Sequence, residues 1–222
     1  MIVKAVIFDL DGTLLDTITD ITNSMNNALK DLCLPTFSEE DYKYLVGSGL
    51  DRLVGGVLPQ HITDEQTIAL FVEKFREYYD NKWTEHSVPF EGILELLSCL
   101  QNKGIKQAIL SNKPHLITVA MTAKLLPANF ELVYGERLSE GIPKKPDPQV
   151  LLEMAKSLKV KPDEVLYVGD SDVDMQVAVN AGMIGVGVLW GFRTKEELVN
   201  NGAKYIVARP EEINNIIGRE KC

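Results

Sequence analysis

The chain opens on an apolar run, Val3, Ala5, Val6, Ile7 and Phe8, in which β-branched residues are prominent. Such a run predicts a strand buried on both faces, as in a parallel sheet. It stops at Asp9, and Asp11, Gly12 and Thr13 follow at once. From Ile18 the period lengthens, with Ile18, Ile21, Met25, Ala28, Leu29 and Leu32 at helical spacing. Ser38, with Asp41 three residues on, predicts the start of a second helix that Gly47 stops. Leu50 to Leu58 continues the block. Thr63 with Gln66 then has the form of a capping box ahead of a long amphipathic helix carrying Ile68, Phe71, Val72, Phe75 and Tyr79. Asp16 to about His86 therefore reads as helices with no strand.

Beyond Pro89 the pattern alternates. Ile93, Leu94, Leu97 and Leu100 mark a helix ending at Gly104, and residues 105–110 a strand that runs into Ser111-Asn112-Lys113-Pro114. A helix is predicted from His115 to Leu125, a weak strand from Phe130 to Tyr134, and a loop over 135–148 that carries Lys144-Lys145-Pro146. After the helix marked by Val150, Leu151, Met154 and Leu158, the strand at 165–168 ends in Gly169-Asp170-Ser171-Asp172-Val173-Asp174. Further strands are expected at 184–188 and 205–207, Thr194 with Glu197 caps a helix, and Pro210 opens a last one. Strands alternating with helices predict an α/β fold whose parallel sheet has right-handed crossovers. The helical block is then an insertion after the first strand.

Bulk properties narrow the function classes. The 222 residues carry 45% hydrophobic and 25% charged residues, ordinary for a globular chain. A net charge of −9 with no basic stripe argues against nucleic acid as a partner. No stretch approaches the ~20 apolar residues of a membrane span. The N-terminus lacks the features of a signal peptide, so the cytoplasm is the expected location; a monomer and a homodimer both stay open. Cys33, Cys99 and Cys222 are too few and too far apart to suggest a disulfide framework or a zinc site.

The chemistry gathers where the predicted strands end. A parallel sheet places those ends on one edge. The edge would collect Asp9, Asp11, Thr13, Ser111, Asn112, Lys145, Asp170 and Asp174. The acids outnumber the cation, and their repulsion calls for a divalent ion such as Mg²⁺. Ser111 and Asn112 can donate to phosphoryl oxygens and Lys145 supplies a point charge, the equipment of phosphoryl transfer. Arg52 and Arg193 are candidates for a second substrate anion; the alternative for Arg52 is a solvated helix arginine, and for the Trp190–Arg193 segment a plain loop with a packed aromatic. His61, His86 and His115 stand alone, without metal-ligand spacing, and Asp16 and Asp20 read as helix-start acids.

DLDGT, SNK, KKPDP and GDSDVD, in that order, resemble the four signature motifs of the haloacid dehalogenase superfamily. LLDTITDI, VGSGL, PFEGI and WGFRTKEEL resemble its phosphoglycolate phosphatase type. The resemblance spans the chain. It implies a Rossmann-like core of residues 1–14 and 87–222 with an all-helical cap over 15–86. It also implies a Mg²⁺-dependent phosphomonoester hydrolase acting on small phosphorylated metabolites. By the same resemblance, Asp9 is the nucleophile and a metal ligand. Asp11 is the general acid/base and a metal ligand through its carbonyl. Asp170 is a metal carboxylate, and Asp174 an acid that supports the metal or Lys145. Ser111, with Thr13, Asn112 and Lys145, would hold phosphate; Lys145 is selected over Lys144 because it directly precedes the proline, leaving Lys144 solvated. A β-phosphoglucomutase-like sugar-phosphate mutase remains an alternative on the same core. A phospho-acceptor signalling or non-catalytic binding module remains one outside it.

Overall fold

In the computed structural model, which describes residues 2–218, the N-terminal apolar run is β1 (Ala5–Phe8), buried at every position. A two-residue strand β2 (Leu15–Asp16) follows, then the helical block of α1 (Ile18–Asp31), α2 (Glu39–Lys43), α3 (Leu50–Val57) and α4 (Glu65–Lys82). The chain returns through β3 (Val88–Pro89). Helices and strands then alternate as α5 (Ile93–Asn102), β4 (Lys106–Pro114), α6 (His115–Leu125), β5 (Leu132–Glu136), α7 (Gln149–Ser157), β6 (Val165–Gly169) and α8 (Asp172–Asn180). They continue as β7 (Ile184–Val188), α9 (Lys195–Asn200), β8 (Tyr205–Val207) and α10 (Ile213–Ile217). Cys222 lies outside the described residues. Among the described residues no helix is long and apolar enough to cross a membrane.

Six strands form one parallel sheet in the order β5-β4-β1-β6-β7-β8. Side chains alternate across it. Val6 and Phe8 face a layer holding Ile93 and Leu97 of α5, Met121 of α6 and Ile213 of α10. Ala5 and Ile7 face the other, with Leu151 and Met154 of α7 and Val177 of α8. Both faces are covered, so β1 needs no polar alternation. Phe8 lies level with Ile109 of β4 and Val168 of β6. Asp9 and Asp170, just past the ends of β1 and β6, and Ser111, two residues beyond Ile109 in the last part of β4, therefore lie at one edge of the sheet.

The helical block has a core of its own. Ile21, Met25 and Leu29 of α1 meet Phe71, Phe75 and Tyr79 of α4, with Tyr42, Val54 and Val57 closing the cluster. The cap of α2 is the expected Ser38–Asp41 box. That of α4 is not Thr63: Asp64 caps it, accepting from the Thr67 amide at 2.8 Å, as a carboxylate one residue nearer can. Nor does α2 run to Gly47; it ends at Lys43. The carbonyls of Lys43, Tyr44 and Val46 accept instead from the Arg193 guanidinium.

The block is also not strand-free at its margin. β2 pairs antiparallel with β3, Leu15 against Pro89 and Asp16 against Val88, where the chain leaves and rejoins the sheet domain. Asp20 clasps this joint. It is buried, and accepts from Ser87 Oγ at 2.7 Å, Ser87 N at 2.8 Å and His86 N at 3.1 Å, with His86 Nδ1 2.9 Å away. His86 is thus not isolated, and Asp20 is more than a helix-start acid. Burial raises the Asp20 pKa, but the Ser87 and His86 hydrogen bonds outweigh it and leave the group below its ordinary value. Its stabilisation is complete above the unfolded pKa and lost as pH falls through the folded one. Asp20→Ala should cost roughly 2–3 kcal/mol in urea unfolding at pH 7. The deficit against wild type should shrink below about pH 4.

Candidate active site

Asp9 follows β1 directly and is almost fully buried. Lys145 Nζ is 2.9 Å from Asp9 Oδ1 but off the hydrogen-bonding direction, so that oxygen accepts no directed bond. Gly12 turns the chain sharply after Asp11. Its φ of +78° favours glycine, and a Cβ there would lie 2.3 Å from Asp170 Oδ2. Asp170, at the end of β6, accepts from Thr13 Oγ1 at 3.0 Å and from the Phe192 amide at 2.9 Å. Gly191 lets that amide approach: a Cβ would meet Asp170 Cβ at 2.2 Å. The loop from Trp190 to Arg193 therefore braces Asp170.

Asp174, in the first turn of α8, accepts from Lys145 Nζ at 2.7 Å, from the Tyr167 hydroxyl at 3.1 Å and from both the amide and hydroxyl of Ser171. These four donors fill the carboxylate's acceptor directions. Asp174 is therefore the anchor of Lys145, one of the two supporting roles expected of it.

Asp9, Asp170 and Asp174 bring carboxylate oxygens within 4.8 Å of one another. Burial, then the Asp174 charge, push Asp9 up to about 8, and Lys145 only partly offsets them. Burial and Asp174 likewise push Asp170 up to about 7. Buried, mutually repelling carboxylates with an Asp9 oxygen lacking a directed donor are a hard-cation donor set. Asp9 and Asp170 suit Mg²⁺, with the Asp11 carbonyl close to Asp9 in sequence.

Asp11 accepts from Thr17 Oγ1 at 2.7 Å and holds Lys113 Nζ at 2.9 and 3.0 Å from its two oxygens. Burial depresses the Lys113 pKa, but the Asp11 charge and the Tyr79 phenol beside it more than reverse that. Asp9, Asp11, Ser111 and Lys113 line a cleft of about 710 Å³ between the sheet edge and the helical block. Ile21, Leu53, Phe75 and Tyr79 form its apolar roof. Ser111 accepts from the Lys113 amide at 3.2 Å and keeps its own proton to donate.

Several expected ligand-binding groups are engaged elsewhere. The Thr13 hydroxyl is on Asp170. Asn112 donates to Gly47 O and Lys145 O and accepts from Lys145 N, so its amide pins the Lys145 loop. Arg193 is buried among the Lys43, Tyr44 and Val46 carbonyls and Glu197, a strut between sheet and helical block rather than an anion site. Arg52 is exposed and does not line the cleft, whereas Arg76 and Arg137 do. Lys144 is not solvated: it bonds Ser48 O at 2.8 Å and Asp51. The groups that sequence reasoning passed over are Lys113, Thr17 and Tyr79. The first had a visible signal, since it directly follows Ser111-Asn112 at a strand end.

The haloacid dehalogenase-like hydrolase family matches residues 6–188. A phosphoglycolate phosphatase of Aquifex aeolicus is 30% identical, over 95% of this chain and 94% of that one. A phosphoglycolate phosphatase of Pseudomonas putida is 32% identical, over 85% of this chain and 70% of that one. A crystal structure from Lactobacillus delbrueckii subsp. bulgaricus, of a protein assigned to phosphoglycolate phosphatase, superposes with a TM-score of 0.90. It is 33% identical and covers 98% of this chain and 99% of that one.

Proposed function

The chain belongs to the haloacid dehalogenase-like hydrolase family and is a phosphatase, and on that premise we propose that it hydrolyses small phosphomonoesters, 2-phosphoglycolate among them, through an aspartyl phosphate on Asp9. The observation that carries this reading is the Asp9 carboxylate itself. It is buried at the floor of the cleft, and one of its oxygens has no directed hydrogen bond. Asp11 stands two residues on and Ser111 faces the same space.

The Asp9 oxygen attacks phosphorus as the bond to the leaving oxygen breaks. Asp11 gives that oxygen a proton. Water then attacks the aspartyl phosphate while Asp11 takes a proton back, freeing phosphate and restoring Asp9. Ser111 donates to a phosphoryl oxygen. Lys145, tied to Asp174, offsets charge beside the nucleophile. Mg²⁺, held by Asp9, Asp170 and the Asp11 carbonyl, would neutralise the phosphoryl oxygens.

Residues 15–86 serve in this reading as a cap over the core of residues 1–14 and 87–222. The β2–β3 ribbon is its hinge, and closure excludes water from the site. The test is phosphate release over a panel of phosphorylated metabolites and p-nitrophenyl phosphate, with and without Mg²⁺. Multiple turnovers that need Mg²⁺ are expected, with 2-phosphoglycolate among the good substrates. Conversion of β-glucose 1-phosphate to glucose 6-phosphate, faster than any hydrolysis, would replace the reading with a mutase. A single phosphorylation without turnover would replace it with a phospho-acceptor.

A further inference from the structure

A substrate with a second anion needs a second cation, and the cleft-lining cations are not equally placed to supply it. Lys144 is committed to Ser48 O and Asp51. Arg137 stacks over Tyr134, its guanidinium 4.6 Å from the ring centre, on the loop after β5. Arg76 is exposed on α4. Outside the lining, Lys145 is sealed between Asp9 and Asp174 with no exposed side chain. Lys113 differs from all of these. It is 8% exposed, opens on the cleft, and has its ammonium on both oxygens of Asp11.

From this geometry we propose that Lys113 is the specificity-determining residue that binds a carboxylate carried on the ester carbon itself, so that the site takes phosphate esters of 2-hydroxy acids. The inference rests on the phosphatase reading, in which Asp11 faces the leaving oxygen. A group bonded to Asp11 and a carboxylate two bonds from that oxygen fall within reach of each other. The ammonium carries three donors in a compact head, so a substrate carboxylate takes over a donor from an Asp11 oxygen without any new cation entering. Tyr79 of α4 packs its ring 4.9 Å from Lys113 Nζ and covers it from the helical block. The pairing therefore forms out of bulk water, where a charged hydrogen bond is strongest. An ester with a neutral leaving group leaves Lys113 on Asp11 and gains nothing from it.

The experiment compares 2-phosphoglycolate with ethyl phosphate, in which a methyl replaces the carboxylate, using the full chain with Mg²⁺. kcat/KM is measured for wild type, Lys113→Met, Lys113→Gln and Lys113→Arg. Competitive inhibition by inorganic phosphate reports that each variant keeps a formed site. Wild type should favour 2-phosphoglycolate. Both neutral variants should lower the ratio of the two kcat/KM values by about 10- to 100-fold, chiefly through KM, and Lys113→Arg should keep part of the preference. An equal loss on both esters, with phosphate still bound, overturns the inference, because Lys113 would then serve Asp11 alone. A wild-type ratio near one overturns it as well. If the wild type hydrolyses neither these esters nor p-nitrophenyl phosphate, the phosphatase reading itself fails and takes the inference with it.

Discussion

Replacing Asp9 with Asn is expected to abolish hydrolysis of every phosphate ester and to leave the protein folded. The carboxamide has the shape of the carboxylate but no nucleophilic oxygen, so the first covalent step has no attacking group. Loss of a covalent nucleophile costs about 10⁴-fold or more. The fold should survive because the native environment does not favour a charge at this position. Burial, Asp174, Asp170 and Asp11 all oppose ionisation of Asp9, and Lys145 only partly compensates. Without metal, Asp9→Asn should therefore be at least as stable as wild type at pH 8. Phosphate release together with thermal unfolding checks both halves. Residual kcat above about a hundredth of wild type would remove Asp9 as the nucleophile.

The second large effect comes from the metal and reads out in stability as well as turnover. Unfolded aspartates ionise near pH 3.9, whereas burial and the Asp174 charge raise native Asp9 to about 8 and Asp170 to about 7. Between those limits the native state holds more protons than the unfolded one, so stability falls as pH rises. The metal-free protein should lose roughly 5–10 °C of Tm between pH 5 and pH 8, a few kcal/mol for a chain of this size. Asp20, Asp41, Asp51 and Asp64 have lowered pKa values. Their contributions are already complete above about pH 5 and do not mask this slope. Mg²⁺ binding only the native carboxylates should restore Tm, and the gain should grow with pH because binding displaces protons. Exhaustive chelation should stop turnover and Mg²⁺ should return it. A metal-free Tm that is flat or rising from pH 5 to 8, together with activity that survives EDTA, would mean that the acidic cluster holds no functional ion.

What was legible in the sequence was whatever depends on residues a few positions apart. The β1 run, the caps at Ser38 and Thr194, and both ends of α6 follow from apolar period and from side chains three residues from their partners. Strand polarity then brings Asp9, Ser111 and Asp170 to one edge, because parallel strands all end on the same side. The family motifs were legible for the same reason: each is a short segment that leaves that edge. What each polar side chain does there was decided by the tertiary structure. Asn112, Thr13 and Arg193 look like ligand-binding groups, yet each donates to a group 33 to 157 positions away. Lys113 looks incidental, yet it meets Asp11 102 positions back. Asp20 looks like a helix-start acid until Ser87 arrives 67 residues later. A hydrogen-bonding side chain at a strand end has several possible partners at equal local cost. The packing of the strand-end loops against one another, and of the helical block on the sheet, selects among them, and that packing is a contact between distant segments that no local pattern encodes.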